Sequence, residues 1–261
     1  METFGVTLLS GGLDSTTVTT QARDRVKHLT ALTFHYGQTH NKEVKCAEKV
    51  ARLLNIQHKL VDISAFGEAA WYSSLTSPER FPTPKDRLTA GPPSGAGVPP
   101  AESGTSIPIT YVPLRNTFFI TIAGAYLESH ALYAIEAMGV HPRNVEAYIY
   151  LAPNAIDYSG YPDCRPEYYE KMRDALLYGS KLWAEYHVPI RIETPIIRLS
   201  KAEIVRLGVE LKAPLEHTWS CYEAGVLPCG RCESCILRAR GFAEAGYDDP
   251  LLVRLGRLQH E

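Results

Sequence analysis

The run Phe4-Gly5-Val6-Thr7-Leu8-Leu9-Ser10-Gly11-Gly12-Leu13-Asp14-Ser15-Thr16-Thr17 decides the fold. Its first half is a short apolar stretch that reads as a buried strand, and its second half is a glycine turn opening a helix. Two adjacent glycines let the backbone turn sharply, so amide N–H groups from Leu9 through Thr17 can point at an anion. The helix that follows adds the partial positive charge of its N-terminus. The hydroxyls of Ser10, Ser15, Thr16 and Thr17 supply further donors, and Asp14 suits a Mg²⁺ that neutralises a pyrophosphate. The run has neither the Gly-Lys-Ser/Thr ending of a Walker loop nor the G-x-G-x-x-G of a dinucleotide fold. The competing reading is a plain glycine turn capped by Asp14 or Ser15, with no ligand.

Outward from this turn, residues 29–34 and 59–63 repeat the apolar pattern of a buried strand. Between them residues 41–54 place Val44, Ala47, Val50, Ala51 and Leu54 on one helical face, with Asn41 as the N-cap. Strand and helix in alternation predict βαβ units and a parallel sheet, the α/β class. Further strands are expected at 146–151 and 190–193, with helices at 116–137, 166–186 and 200–208. Nine of the 18 prolines fall between Thr76 and Pro113, which reads as a long loop, mobile around 91–104. The expected division is an α/β domain over 1–200 and a helical, metal-binding region over 201–261.

Cys221, Cys229, Cys232 and Cys235 follow the spacing C-x7-C-x2-C-x2-C. Two-residue gaps turn neighbouring thiolates towards one ion, and Gly230 relieves the tight knuckle. Four thiolates suit a closed tetrahedral Zn²⁺ of structural rather than catalytic kind, an iron–sulfur cluster being the other occupant of such a set. Cys46, on the apolar-striped helix, reads as a packing residue.

The totals narrow the classes. The 261 residues are 45% hydrophobic and 21% charged, ordinary for a globular chain and unlike a disordered one. Twenty-seven basic against 29 acidic residues give a net charge of −2, no general reason to expect nucleic acid or an anionic membrane as a partner. The start carries no basic n-region and no stretch approaches 18 apolar residues in a row, so neither secretion nor membrane insertion is expected. A cytoplasmic setting keeps the clustered thiols reduced.

A second motif is Asp157-Tyr158-Ser159-Gly160-Tyr161-Pro162-Asp163-Cys164-Arg165. Carboxylates, phenols, a thiol and a guanidinium within nine residues can present a purine-like ligand with aromatic faces and hydrogen-bond acceptors. A solvated turn is the alternative reading of the same residues.

S-G-G-L-D-S resembles the pyrophosphate loop of N-type ATP pyrophosphatases, which cleave ATP to AMP and pyrophosphate. The whole order, from that loop through Tyr36-Gly37-Gln38, Val112-Pro113-Leu114-Arg115-Asn116, Y-P-D-C-R, Ser200-Lys201-Ala202-Glu203-Ile204 and the cysteine cluster, resembles the 7-cyano-7-deazaguanine synthase family. The resemblance implies a Rossmann-like parallel domain with a zinc-bearing appendage, commonly a homodimer. It implies conversion of 7-carboxy-7-deazaguanine and ammonia to the nitrile, using ATP and passing through an adenylate and an amide, towards queuosine and archaeosine. Tyr36 and Gln38 then join the ATP contacts, and Arg115, Asn116, Asp157, Tyr161, Asp163 and Arg165 the acceptor contacts. Lys201 and Arg115 are the cations expected where charge develops on phosphate, with Asp14 and Ser15 beside them. No nucleophilic side chain is required, so Cys164 reads as a pocket residue. A relative that stops at the amide or uses another amine, or a tRNA sulfur-transfer enzyme, fits the same loop. The family usually has glycine where Leu114 stands and near Leu151 and Ala152, where leucine would obstruct close approach to a ligand. The stretches at 91–104 and 141–144 are longer than the resemblance leads one to expect.

Overall fold

The computed structural model describes residues 1–37, 42–85, 107–155, 161–223 and 225–256. Five strands, β1 (Glu2–Leu8), β2 (His28–His35), β3 (Gln57–Asp62), β4 (Val145–Tyr150) and β5 (Ile190–Glu193), form one sheet in the order β3-β2-β1-β4-β5. Every pairing is parallel, and Val6 at the centre stands opposite Thr30 on one side and Ile149 on the other. This is the α/β architecture expected from the alternation, with strand bounds shifted by one or two residues.

The helices are α1 (Leu13–Arg23), α2 (Lys42–Leu53), α3 (Ser64–Ala69), α4 (Arg115–Glu136), α5 (Pro166–Gly179), α6 (Lys181–Tyr186), α7 (Lys201–Glu210), α8 (Glu233–Ala245) and α9 (Pro250–Arg254). Side chains alternate across a strand, so each sheet face has its own core. On one face Val6, Leu32, Ala147, Ile149 and Ile192 pack against Ile120, Ala123, Leu127 and Ala131 of α4. On the other, Tyr150 and Leu29 meet Leu13, Val18 and Ala22 of α1, Ile204 and Val205 of α7 and Phe242 of α8. Helix α1 is rich in threonine, a poor helix former in isolation. Burial overrides that weakness: the Thr17 and Thr20 hydroxyls donate to the carbonyls of Leu13 and Thr16, and Thr19 meets Thr7 at 2.8 Å.

One sequence expectation changes. The single helix expected over 166–186 breaks at Ser180, whose extended backbone and side chain, accepting from the amide of Trp183, start a new helix. Helix α4 has a mean hydropathy of 1.3 over 18 residues, long and apolar enough by composition to cross a membrane, although polar residues interrupt the run. Its apolar stripe is spent on the sheet. The Asn41 cap and the 91–104 stretch lie outside the described residues. Helix α7 begins on a capping box, with the Ser200 hydroxyl accepting from the Glu203 amide and the Glu203 carboxylate from the Ser200 amide.

Candidate active site

In an open parallel sheet, ligands bind beyond the carboxyl ends of the strands where the connections change direction. Here the direction changes between β1 and β4. A cavity of about 390 Å³ opens there, lined by the turn after β1, the end of β2, the first turns of α2 and α4, the segment after β4, and Lys201.

The turn after β1 has the form of an anion cradle. Gly11 adopts φ +86°, and a side chain there would run into the carbonyl oxygen of Glu43. Only glycine meets both demands. The first helical bond of α1 is Thr16 N–H to Gly12 O at 3.1 Å, which leaves the amides of Leu13, Asp14 and Ser15 without an intrahelical acceptor. The Ser10 and Ser15 hydroxyls lie 2.9 Å apart, and Ser15 also donates to Gly12 O, so both hydroxyls are held at the loop. Lys201 Nζ donates to both oxygens of Asp14, at 2.7 and 3.0 Å.

The opposite wall carries Arg115 at the first position of α4, beside Asn116. Burial works against its charge, but Tyr36, Tyr161 and Asp163 outweigh that and raise its pKa above the ordinary arginine value. Tyr161 donates to Thr110 Oγ1 at 2.7 Å. Burial pushes the Cys164 thiol up to about 12, with Asp163 adding to the rise, so this cavity-lining sulfur stays protonated and is a poor nucleophile.

Among the residues expected at the site, Leu9, Ser10, Gly12, Leu13, Asp14, Ser15, Tyr36, Arg115, Asn116, Tyr161 and Lys201 line the cavity. Others do not. Thr16 and Thr17 are fully buried inside α1, the Thr16 amide is used in the helix and the Thr17 hydroxyl bonds Leu13 O. Gly11 shapes the loop from behind, its carbonyl accepting from the Trp219 amide at 2.8 Å. Asp163 is buried behind the wall, its backbone carbonyl accepting from Tyr169 Oη at 2.9 Å and from the Asn116 side-chain amide at 3.4 Å, while its Oδ1 is buried with no hydrogen-bond partner among the described residues. Arg165 stands exposed at the N-cap of α5. Gln38 and Asp157 lie outside the described residues. Leu114 is not on the wall either: it is 65% exposed, and its φ of +55° at the N-cap of α4 accounts for glycine being the better fit there. Leu151 and Ala152 do line the cavity.

Tyr222 and Arg238 also line it, as do Glu43 and Trp219, which were not singled out by sequence. Burial pushes the Glu43 carboxyl up to about 7, against the pull of Arg115. Arg238 donates to both oxygens of Asp249 and to Thr218 Oγ1, all buried, which fixes the segment leading to Trp219.

Beside the cavity, the sulfurs of Cys221, Cys229, Cys232 and Cys235 lie within 4.8 Å of one another. Four sulfurs at a bond length of about 2.3 Å around a tetrahedral ion stand about 3.8 Å apart, so the set needs only a small contraction to hold a metal. Outer hydrogen bonds are in place: Cys221 Sγ accepts from the amides of Glu223 and Cys229, and Cys229 Sγ from those of Arg231 and Cys232. The Cys232 and Cys235 thiols donate to Cys221 and hold its pKa well below the ordinary thiol value, while the same hydrogen bonds push their own up. Gly230, at φ +73°, turns the knuckle.

Comparison with known proteins follows from this geometry. The model of the family described as queuosine biosynthesis protein QueC matches residues 5–246. A 7-cyano-7-deazaguanine synthase of Thermoplasma volcanium is 41% identical over 94% of this chain and 89% of its own length. One of Thermosynechococcus vestitus is 40% identical over 94% of each chain. Among solved structures, the NMN synthetase of Francisella tularensis is similar over 98% of this chain and 79% of that one, at 18% identity and a TM-score of 0.38.

Proposed function

The chain belongs to the queuosine biosynthesis protein QueC family, and from that premise we propose that it makes 7-cyano-7-deazaguanine from 7-carboxy-7-deazaguanine, ammonia and ATP. The observation that carries the reading is the meeting, in one cavity, of the free amides of Leu13, Asp14 and Ser15 with the cations Lys201 and Arg115.

A carboxylate is a poor acyl donor because its oxygen does not leave. Attack of that oxygen on the α-phosphorus of ATP expels pyrophosphate and makes the oxygen part of AMP, a good leaving group. The loop amides and the Ser10 and Ser15 hydroxyls hold the departing pyrophosphate, and Lys201 offsets charge at the reacting phosphate. Ammonia attacks the carbonyl carbon, AMP leaves and a proton is lost, giving the amide. The amide oxygen attacks a second ATP in the same way; loss of the N–H protons and of AMP then leaves the nitrile. Arg115, set between Tyr36 and Tyr161, orients the carboxylate of the acceptor, with Asn116 beside it. Tyr36 lies on the ATP side. Gln38 and Asp157 keep their expected roles as ATP and acceptor contacts.

A bound Mg²⁺ would neutralise pyrophosphate, with Asp14 as its protein ligand once Lys201 lets go. The four cysteines hold zinc as a closed structural site, and such a site suits a reducing cytoplasm. The working assembly is a homodimer.

The test is mass spectrometry of the products formed from 7-carboxy-7-deazaguanine, ATP, Mg²⁺ and ammonium. The nitrile with two AMP per turnover is expected. Accumulation of the amide alone would remove the second adenylation, and no turnover by folded, metal-loaded protein would move the acceptor to another carboxylate.

A further inference from the structure

Trp219 hydrogen-bonds both to the phosphate loop and to a cysteine of the metal set, and we propose that it couples the two, so that metal affinity and nucleotide affinity depend on each other. Its amide donates to Gly11 O at 2.8 Å, and its indole Nε1–H donates to the carbonyl of Cys221 at 3.0 Å. The side chain is 2% exposed and shares a cluster with Cys221, Cys232 and Cys235.

The joint has no slack on its far side. Gly11 is packed against the backbone of α2 at Glu43 and Ala47, in the left-handed conformation that aims the following amides outward. From the same turn of α2, Lys42 Nζ sits 3.3 Å from the centre of the Trp219 ring. It also donates to the carbonyls of Gly225 and Val226, which lie between the ligands Cys221 and Cys229. Phosphate loop, first turn of α2 and metal loop therefore close a ring of contacts with Trp219 at its centre. An ion that fixes the Cys221 sulfur fixes the Cys221 carbonyl, the indole and the Gly11 carbonyl in turn. Trp219 is a positioning residue, since it acts on phosphate through Gly11.

Coupling of this kind is reciprocal: whatever factor the metal adds to nucleotide affinity, the nucleotide adds to metal affinity. The inference rests on the ATP reading of the loop. The experiment is competition for zinc between the full-length protein and a metallochromic chelator, with and without α,β-methylene ATP. Calorimetry of the same analogue on zinc-loaded protein runs beside it. The wild-type protein is expected to bind zinc about tenfold tighter with the analogue present, within the range usual for coupled sites. Trp219→Phe keeps the ring packing and loses the Nε1–H donor; the ratio is expected to shrink towards one. A residue that merely supported the fold would lower both affinities and leave the ratio intact.

A ratio of one in wild-type protein that binds the analogue, or an undiminished ratio in Trp219→Phe, overturns the coupling. If Trp219→Phe does not fold, Lys42→Met carries the same comparison, and an undiminished ratio there overturns it equally. Failure of the analogue to bind zinc-loaded wild type at all removes the nucleotide reading itself, a result that calorimetry separates from loss of coupling.

Discussion

Lys201 Nζ lies 2.7 Å from Oδ2 and 3.0 Å from Oδ1 of Asp14, joining the phosphate loop to the start of α7, 187 residues further along the chain. The pair is partly exposed, 13% and 27% for the two side chains, so it contributes about 1 kcal/mol or less to folding. Its position on the cavity wall is what gives it weight. Asp14→Ala is expected to reduce pyrophosphate release by about 10²–10³, the scale of losing one electrostatic group from a reacting site. The melting temperature should move by only a few degrees. Activity within a factor of three of wild type would take Asp14 out of the reaction.

Leu114 tests a backbone argument. A non-glycine residue in the left-handed region costs about 1–2 kcal/mol, while glycine costs about 0.5–1 kcal/mol of extra chain entropy. Leu114→Gly is therefore expected to raise stability by about 0.5–1 kcal/mol, read from the urea midpoint. Because the side chain is exposed and off the cavity wall, the KM values should hold within about twofold. A large change in KM for the acceptor would return Leu114 to the pocket.

Glu43 gives a pH prediction. Burial raises its carboxyl to about 7, Arg115 opposes the rise and Cys221 adds to it. The folded state then holds a proton that the unfolded chain releases near 4.5, so stability falls as pH climbs from about 4.5 to about 7 and levels off above. The gap converts to about 3 kcal/mol at about 1.36 kcal/mol per pH unit. Glu43→Gln is expected to match wild type at pH 4 and to exceed it by up to about 3 kcal/mol at pH 8 in urea unfolding. Parallel stability curves for the two proteins would show that the carboxyl is hydrated.

Cys232→Ala removes one of four ligands and the buried sulfur with it. Metal content by mass spectrometry should fall from one equivalent to near zero, and stability by about 4 kcal/mol or more, the range reached when a structural metal is lost. Full metal content in this variant would mean that a different set of ligands holds the ion.

The parts of the molecule legible in the sequence are those where one local signal dominates. The strand, turn and helix start within Phe4 to Thr17 are read correctly because apolar run, glycine pair and helix start are contiguous, and the clustering of the cysteines because their spacing limits where the sulfurs can go. Glu43 and Trp219 escaped because each sits in an unremarkable local pattern and reaches the cavity only through packing: Glu43 on the first turn of an amphipathic helix, Trp219 in a short linker held by Arg238. The break at Ser180 escaped because its side chain competes with helix continuation by less than periodicity can register. Asp163 and Arg165 carry the right chemistry for a ligand, and the sequence cannot say that one is buried behind the cavity wall and the other exposed at the start of α5. Thr16 and Thr17 illustrate the same limit one turn into a helix, where rotation by 100° per residue carries a hydroxyl from cavity to core.

The central strand β1 borders β2 on one side and β4 on the other, and β4 begins only at Val145. On a ribosome adding about 5–20 residues per second, β1 therefore waits on the order of ten seconds with one edge unpaired after its first neighbour has emerged. An open edge of this kind invites pairing with another nascent chain. The strand that leads into the phosphate loop is thus open to misassembly along that edge during synthesis until β4 closes it.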